Sequence, residues 1–227
     1  MAVREIAVFG LGRMGKAVAE HFSDNGGQVI AIDNDQRVID EIADKVAYAV
    51  KADINDIDAI KSLGIGNVDV AVITIGENLE ASIMAIIACK EMGISTVFAK
   101  AKNKIQGKIL EKVGADRIMY PEEDMGERIA MTLRYGNLRE FINLEDGVSI
   151  VEADIPKHWV GKNLIELDIR KKYGFNLIAI RENGRIRTNV AADKPFKPGI
   201  QVVVIGDDDK INKILKWVDC NSIGYKQ

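Results

Sequence analysis

The sequence predicts an α/β fold, in which a Rossmann-like, doubly wound parallel sheet is followed by a small α+β domain. Up to about Pro121, short apolar strands alternate with amphipathic helices, which is the rhythm of repeated βαβ units. A glycine-rich turn links the first strand to the first helix. The 227 residues are 47% hydrophobic but only 6% aromatic, and such an aliphatic composition is typical of parallel strands covered by helices.

Six strands are predicted before Pro121, and apolar residues at helical spacing fill each interval between them. The strands are predicted at 5–9, 28–33, 46–51, 69–75, 96–100 and 117–120. The helices are predicted at 14–25, 36–42, 57–63, 79–92 and 106–113.

The rhythm changes after Pro121, where a polar stretch leads into a helical pattern at 128–135. The spacing of Ile129, Leu133 and Phe141 is compatible with an interface, and equally with an ordinary core helix. Strands are then predicted at 148–154, 176–181, 185–187 and 201–205, and helices near 164–172 and 210–217. We therefore expect two domains: residues 1–138, which include the helix after Pro121, and residues 139–227, a small α+β domain.

Charge and cysteine content exclude several classes of protein. The chain has 31 Lys and Arg against 34 Asp and Glu, so its net charge gives no reason to expect nucleic acid as a partner. Cys89 and Cys220 are too few for a disulfide framework or a metal cluster. Since no apolar run is long enough to cross a bilayer and no leader pattern precedes the first strand, we expect a cytoplasmic protein.

The glycine-rich turn Gly10, Gly12, Gly15 follows the first strand and opens the first helix. In this context the glycines allow a tight turn, close approach of a pyrophosphate and close packing of helix on strand. The helix start offers free N–H groups to phosphates. Asp33 ends the second strand, where a carboxylate accepts hydrogen bonds from ribose hydroxyls and repels the 2′-phosphate of NADP. The alternative is a glycine turn that packs without a ligand.

Further candidates lie in the glycine turn and beyond the carboxyl ends of the strands, where open parallel sheets bind ligands. Arg13 brings a positive charge that can hold a terminal phosphate through two hydrogen bonds, unless it is simply solvated on the helix surface. Each of the others, taken alone, has a scaffold or loop role as its alternative. The remaining candidates are Met14, Asn34, Ala52, Asp53, Ile75, Gly76, Asn78 and Lys100.

Several motifs together resemble one family. They are 9–15 (FGLGRMG), 31–33 (AID), 71–76 (AVITIG), 98–101 (FAKA), 110–116 (LEKVGAD), 120–126 (YPEEDMG) and 167–170 (LDIR), with a late Pro198-Gly199 pair. In these motifs the chain resembles the RCK (KTN) regulatory subunits of bacterial potassium transporters of the Ktr and Trk type. Its length, with one nucleotide-binding unit rather than two, is similar to that of the Ktr cytosolic subunit.

The resemblance implies roles for individual residues. Arg13 would contact the terminal phosphate of ATP, Asp33 the ribose, Asp53 the adenine side and Lys100 the phosphates. Glu122 would help to bind Mg²⁺ or Ca²⁺ beside the nucleotide, at an interface between subunits. For Glu122 the alternative is a solvated acid at the start of the following helix.

The resemblance also implies partners. The helix after Pro121 would cross to a second copy, and homodimers would assemble into an octameric ring on a membrane-embedded potassium-translocating subunit. The protein would thus be peripheral to the inner face of the membrane. In some relatives the C-terminal domain binds cyclic di-AMP, and the same apolar positions are also explained as core. The corresponding residues are Leu164, Ile165, Asp168, Arg170 and Asn176.

An NAD(H)-dependent oxidoreductase or an NAD(H)-responsive regulator is the alternative function. An oxidoreductase needs a proton relay, yet the chain has two histidines, His21 and His158, and no Tyr-x-x-x-Lys pattern. No Walker A lysine motif is present. We therefore expect a protein that is not an enzyme and that senses ATP and ADP without turning them over.

Overall fold

The computed structural model describes residues 3–136, 138–144 and 146–216. The chain divides into two compact units, one up to Glu122 and one from Glu123 onward. This division assigns most of the helix after Pro121 to the second unit, whereas the sequence pattern predicts the domain boundary at residue 138. The domain boundary at 138 stays a prediction.

The first unit is built on a six-stranded sheet in the order β3-β2-β1-β4-β5-β6. All five strand pairs are parallel, so the predicted doubly wound sheet is confirmed. The order reverses between β1 and β4, and ligands bind at the carboxyl ends of the strands next to such a reversal. The strands are β1 (Glu5–Phe9), β2 (Gln28–Asp33), β3 (Tyr48–Lys51), β4 (Val70–Ile73), β5 (Thr96–Lys100) and β6 (Arg117–Met119).

Helices cover both faces of this sheet. Ala7 and Phe9 belong to one buried cluster and Ile6 and Val8 to another, because successive side chains of a strand point to opposite faces. A strand buried on both faces must be apolar throughout, which is why β1 is a continuous apolar run after Glu5. The helices are α1 (Arg13–Asp24), α2 (Gln36–Ile42), α3 (Ile57–Ser62), α4 (Leu79–Glu91) and α5 (Lys104–Val113).

The second unit contains α6 (Pro121–Arg134) from Glu123 onward and a five-stranded antiparallel sheet. The sheet order is β10-β9-β11-β8-β7, and its core includes the fully buried Trp159. The strands are β7 (Leu138–Asn143), β8 (Val148–Asp154), β9 (Phe175–Glu182), β10 (Arg185–Arg187) and β11 (Gln201–Asp207), and the helices α7 (Leu164–Leu167), α8 (Ile169–Tyr173) and α9 (Asp208–Lys216). Within the described residues, no helix has the length and apolar character needed to span a membrane.

Two predictions for the second unit were wrong in detail. Phe141 does not continue a helical stripe but lies buried in β7, a strand that was not predicted. The helix predicted at 164–172 is two short helices, because Asp168 between them has φ +41°, a left-handed conformation that cannot continue a helix. The predicted end of the last helix, Trp217, lies outside the described residues.

Candidate functional site

The glycine loop has the predicted strand-turn-helix geometry. Gly10 has φ +86°, and its N–H donates to the carbonyl of Ile32 at 2.9 Å. A Cβ atom at Gly15 would lie 1.9 Å from the carbonyl oxygen of Gly10, so only glycine lets α1 pack this closely on the turn. Both glycines are therefore required by the protein's own packing.

Gly12 differs from its two neighbours in the motif. Its φ of −65° is accessible to any residue, and a Cβ atom there would meet no heavy atom within 4 Å. It is the N-cap of α1, and among the described residues no side chain caps that helix start. The loop thus presents open space beside free helical N–H groups, which is a cradle that fits a phosphate.

Asp33 ties the end of β2 to this loop. Its Oδ2 accepts a hydrogen bond from the N–H of Leu11 at 2.6 Å, and its Oδ1 accepts one from the N–H of Asp35 at 2.9 Å. Each carboxylate oxygen can accept a second hydrogen bond. Asp33 can therefore position the glycine loop and still accept hydrogen bonds from a ribose.

Thr74 follows β4, at the strand end where the sequence places candidate residues. Its buried hydroxyl lies 2.5 Å from the carbonyl oxygen of Gly10 and 3.1 Å from that of Phe9. A Cβ atom at Gly15 would come within 2.6 Å of that hydroxyl. Thr74 therefore fixes the glycine loop against the neighbouring strand end, and the sequence signal was a hydroxyl residue directly after an apolar strand.

Asp53 and Asn78 are joined through Asn55, a third residue that the sequence prediction missed. Asp53 accepts hydrogen bonds from the backbone N–H and the side-chain amide of Asn55, which hold its pKa below the usual range. Asn55 in turn accepts a hydrogen bond from the Asn78 amide at 3.1 Å, and Asn78 caps α4. The loops after β3 and β4 therefore form one polar edge, and the Asp-x-Asn pattern was the available signal.

Lys100 ends β5, and its ammonium donates to Glu122 at 2.6 Å. The same nitrogen lies 3.7 Å from the position of a Cβ atom built on Gly76. The pKa of Glu122 lies below its usual range, mainly because of the hydrogen bond from Lys100 and to a smaller extent because of the charge of Arg13. Arg13 is exposed and forms no ion pair with any described residue.

The other predicted residues of this site hold or flank the loop. Ile75 packs on Gly10, at 3.0 Å from the position of a Cβ atom there. Ala52 is buried, and its N–H donates to the carbonyl of Asp33 at 3.0 Å. Met14 is half-buried in the first turn of α1, and Asn34 is exposed. The structure thus brings all the candidate residues of the first unit to the carboxyl edge of β1 to β5.

The described residues do not form a metal site by themselves. Nowhere in them do three or more His, Cys, Asp or Glu side chains cluster so as to hold an ion. Glu122, the predicted cation ligand, is bonded to Lys100 instead. A cation at Glu122 would need oxygen ligands from outside this set of residues.

The candidate residues of the second unit lie on α7, α8 and β9, except for Asp168, which lies between the two helices. Leu164 is partly buried and packs against the core, whereas Ile165 is 68% exposed. Asp168, Arg170 and Asn176 are exposed. Packing in the core therefore explains the apolar side chain of Leu164 but not that of Ile165.

Comparison with known families and relatives covers nearly the whole chain. The TrkA-N domain family matches residues 6–121 and the TrkA-C domain family matches residues 148–219. The Ktr system potassium uptake protein C of Bacillus subtilis is 36% identical over 95% of this chain and 97% of its own length. The Ktr system potassium uptake protein A of the same organism is 34% identical over 92% and 95%. That of Vibrio alginolyticus is 32% identical over 94% and 97%.

Solved structures share the fold at low sequence identity. The GsuK RCK domain superposes with a TM-score of 0.65 at 12% identity, covering 96% of this chain and 48% of that one. The GsuK channel gives a TM-score of 0.66 at 14% identity, over 93% and 38%. This chain thus spans less than half the length of either structure.

Proposed function

Because the chain belongs to the family of Ktr system potassium uptake proteins, with a TrkA-N and a TrkA-C domain, we propose that it is a nucleotide-sensing regulatory subunit that gates a membrane potassium transporter. In this proposal the first unit binds ATP or ADP at the glycine loop without turning them over. A membrane-embedded potassium-translocating subunit is the partner and holds the protein at the inner face of the membrane.

The open side of the glycine loop is the observation that carries this proposal. Gly10 and Gly15 are required by packing, but neither packing nor backbone conformation requires glycine at Gly12. The first turn of α1 has N–H groups with no side-chain cap among the described residues, and such a turn attracts phosphate. A ligand that approaches the backbone closely is the physical reason for a glycine at this position.

Asp33 and Arg13 indicate which nucleotide is bound. The Asp33 carboxylate next to the loop supports a free ribose and opposes a 2′-phosphate. The exposed Arg13 guanidinium stands at the first residue of α1, where it can grip a terminal phosphate through two hydrogen bonds. This feature favours ATP over NAD(H), which remains the alternative ligand.

Gating follows from a difference in binding free energy. If two shapes of the assembly bind ATP with different affinities, ATP favours the shape that binds it more tightly. ADP lacks the terminal phosphate that Arg13 would hold, so it favours that shape less. Glu122 would help to hold Mg²⁺ or Ca²⁺ beside the nucleotide, at an interface between subunits.

The exposed face of α6 supports assembly of the protein with a second copy. Met125, Ile129 and Leu133 are spaced one turn apart and are 49%, 52% and 75% exposed, and such a stripe is expected to be covered in an assembly. We propose homodimers that form an octameric ring. Light scattering is expected to report a mass far above that of a dimer, and a stable monomer at micromolar concentration would contradict the ring.

Cyclic di-AMP is proposed as an inhibitory ligand of the second unit. The exposed Ile165 offers an apolar surface to a base, and the exposed Arg170 offers a charge to a phosphate. Asp168, between α7 and α8, and Asn176, on β9, are exposed polar partners.

The experiment that tests the nucleotide role is titration calorimetry with ATP and ADP on the full chain and on Arg13→Ala. We expect the variant to lose about tenfold in ATP affinity, or about 1.4 kcal/mol, and clearly less in ADP affinity. Arg4→Ala is the matched control, because it removes an arginine at the amino end of β1, the opposite edge of the sheet. Equal losses for ATP and ADP would contradict the terminal-phosphate role.

A further inference from the structure

Lys100 and Glu122 form an ion pair whose two side chains differ in exposure to solvent. The Lys100 side chain is only 15% exposed, whereas that of Glu122 is 68% exposed. Glu122 is the second residue of α6 and the last residue of the first unit. The ammonium therefore stays at the carboxyl edge of β5, while the carboxylate reaches it from the start of a helix.

We propose that Glu122 is a positioning residue for Lys100, and that Lys100 exchanges this carboxylate for a nucleotide phosphate when nucleotide binds. The inference rests on the proposed function, since it needs a phosphate at the glycine loop. It assigns to Glu122 a role in the nucleotide-free protein, in addition to the cation contact already proposed.

The exchange requires only a small movement of the Lys100 ammonium. The Lys100 ammonium already lies over Gly76, 3.7 Å from the position of a Cβ atom there, next to the end of β4 and the reversal of strand order. Glu77, the other carboxylate whose pKa the charge of Lys100 affects, is itself paired with Lys102 at 2.7 Å. Glu122 is thus the competitor that a phosphate has to replace.

The energetics favour a phosphate as the new partner. An ion pair with one largely exposed member contributes little net stability. A phosphate held by α1, Arg13 and Lys100 gains several charge-assisted hydrogen bonds at once. The exchange frees the Glu122 carboxylate at the first turn of α6. Phosphate binding therefore changes the ion pairing at the start of that helix.

A double-mutant cycle tests the exchange. ATP affinity is measured by calorimetry for the wild type, Glu122→Gln, Lys100→Gln and the double variant, in buffer with EDTA so that no divalent cation takes part. Glu122→Gln is expected to strengthen ATP binding about fivefold, which corresponds to about 1 kcal/mol, because Lys100 no longer has to leave a carboxylate. In the Lys100→Gln background the same substitution is expected to have much less effect. Asp124→Asn, another exposed acid of α6, is the matched control and is expected to change nothing.

The cycle separates an exchange of Lys100 between Glu122 and phosphate from simple repulsion of the phosphate by Glu122. Equal gains in both backgrounds would mean that Glu122 only repels the phosphate, which would overturn the exchange but leave the nucleotide site intact. No gain in the wild-type background would also overturn it. If the wild type binds no ATP at all, the proposed function fails and the exchange fails with it.

Discussion

Gly15→Ala is the substitution whose effect the structure predicts most sharply. In an ordinary helix a change from Gly to Ala stabilises the folded protein by about 0.5–1 kcal/mol. Here the new Cβ atom would lie 1.9 Å from the Gly10 carbonyl oxygen and 2.6 Å from the Thr74 hydroxyl, whereas ordinary contacts begin at 3.4 Å. The start of α1 must therefore move away from the loop by about 1.5 Å.

The cost has two parts. Overpacking against backbone typically costs about 1–3 kcal/mol, and disturbing the hydrogen bond from Thr74 to Gly10 adds about 1 kcal/mol. After the helix propensity gain, we expect a net loss of about 2 kcal/mol, or about 4–8 °C in Tm for a chain of this size.

Urea unfolding followed by circular dichroism measures this loss, and Gly12→Ala is the matched control. At Gly12 the Cβ atom meets nothing within 4 Å, so stability should stay within about 0.5 kcal/mol of the wild type, while ATP affinity falls because the methyl group occupies the phosphate's approach. A Gly15→Ala protein as stable as the wild type would refute the packing argument.

Two further predictions concern hydrogen bonds at opposite edges of the parallel sheet. Thr74→Val keeps the shape but removes the donor to Gly10, so urea unfolding should show a loss of about 1–2 kcal/mol, and unchanged stability would contradict the role of Thr74. Asp69 accepts the N–H groups of Arg4 and Glu5, which lower its pKa. Its contribution is therefore present above the unfolded pKa of about 3.9 and lost as the pH falls through the lower folded value. Asp69→Asn should be less stable than the wild type in urea titrations at pH 7 and should approach it at pH 3, whereas a constant difference would contradict this assignment.

Local patterns were sufficient to predict the first unit. The apolar run of β1, buried on both faces, and the three glycines that follow it are contiguous signals, so the strand, the turn and the start of α1 could be predicted without any long-range information. The predicted site residues of this unit end up at one edge because parallel strands place all their carboxyl ends together.

Two contacts of the site could not be predicted because they join residues far apart in sequence. The Thr74 hydroxyl bonds a carbonyl 64 residues earlier, and Lys100 reaches a carboxylate 22 residues later. Neither contact produces a periodic pattern in the sequence. The strand at Leu138–Asn143 is stabilised by antiparallel pairing with β8, and its weak alternation alone does not distinguish it from the end of a helix.

In the proposed function, the glycine loop binds a nucleotide with a free ribose and a terminal phosphate. The most direct test is titration calorimetry of the full, unmodified chain with ATP, ADP, NADH and NADPH. We expect saturable binding of one ATP or ADP per chain, tighter for ATP than NADH, and no binding of NADPH, whose 2′-phosphate would meet Asp33. Failure of ATP and ADP to bind would contradict the nucleotide site, and a preference for NADPH would contradict the role of Asp33.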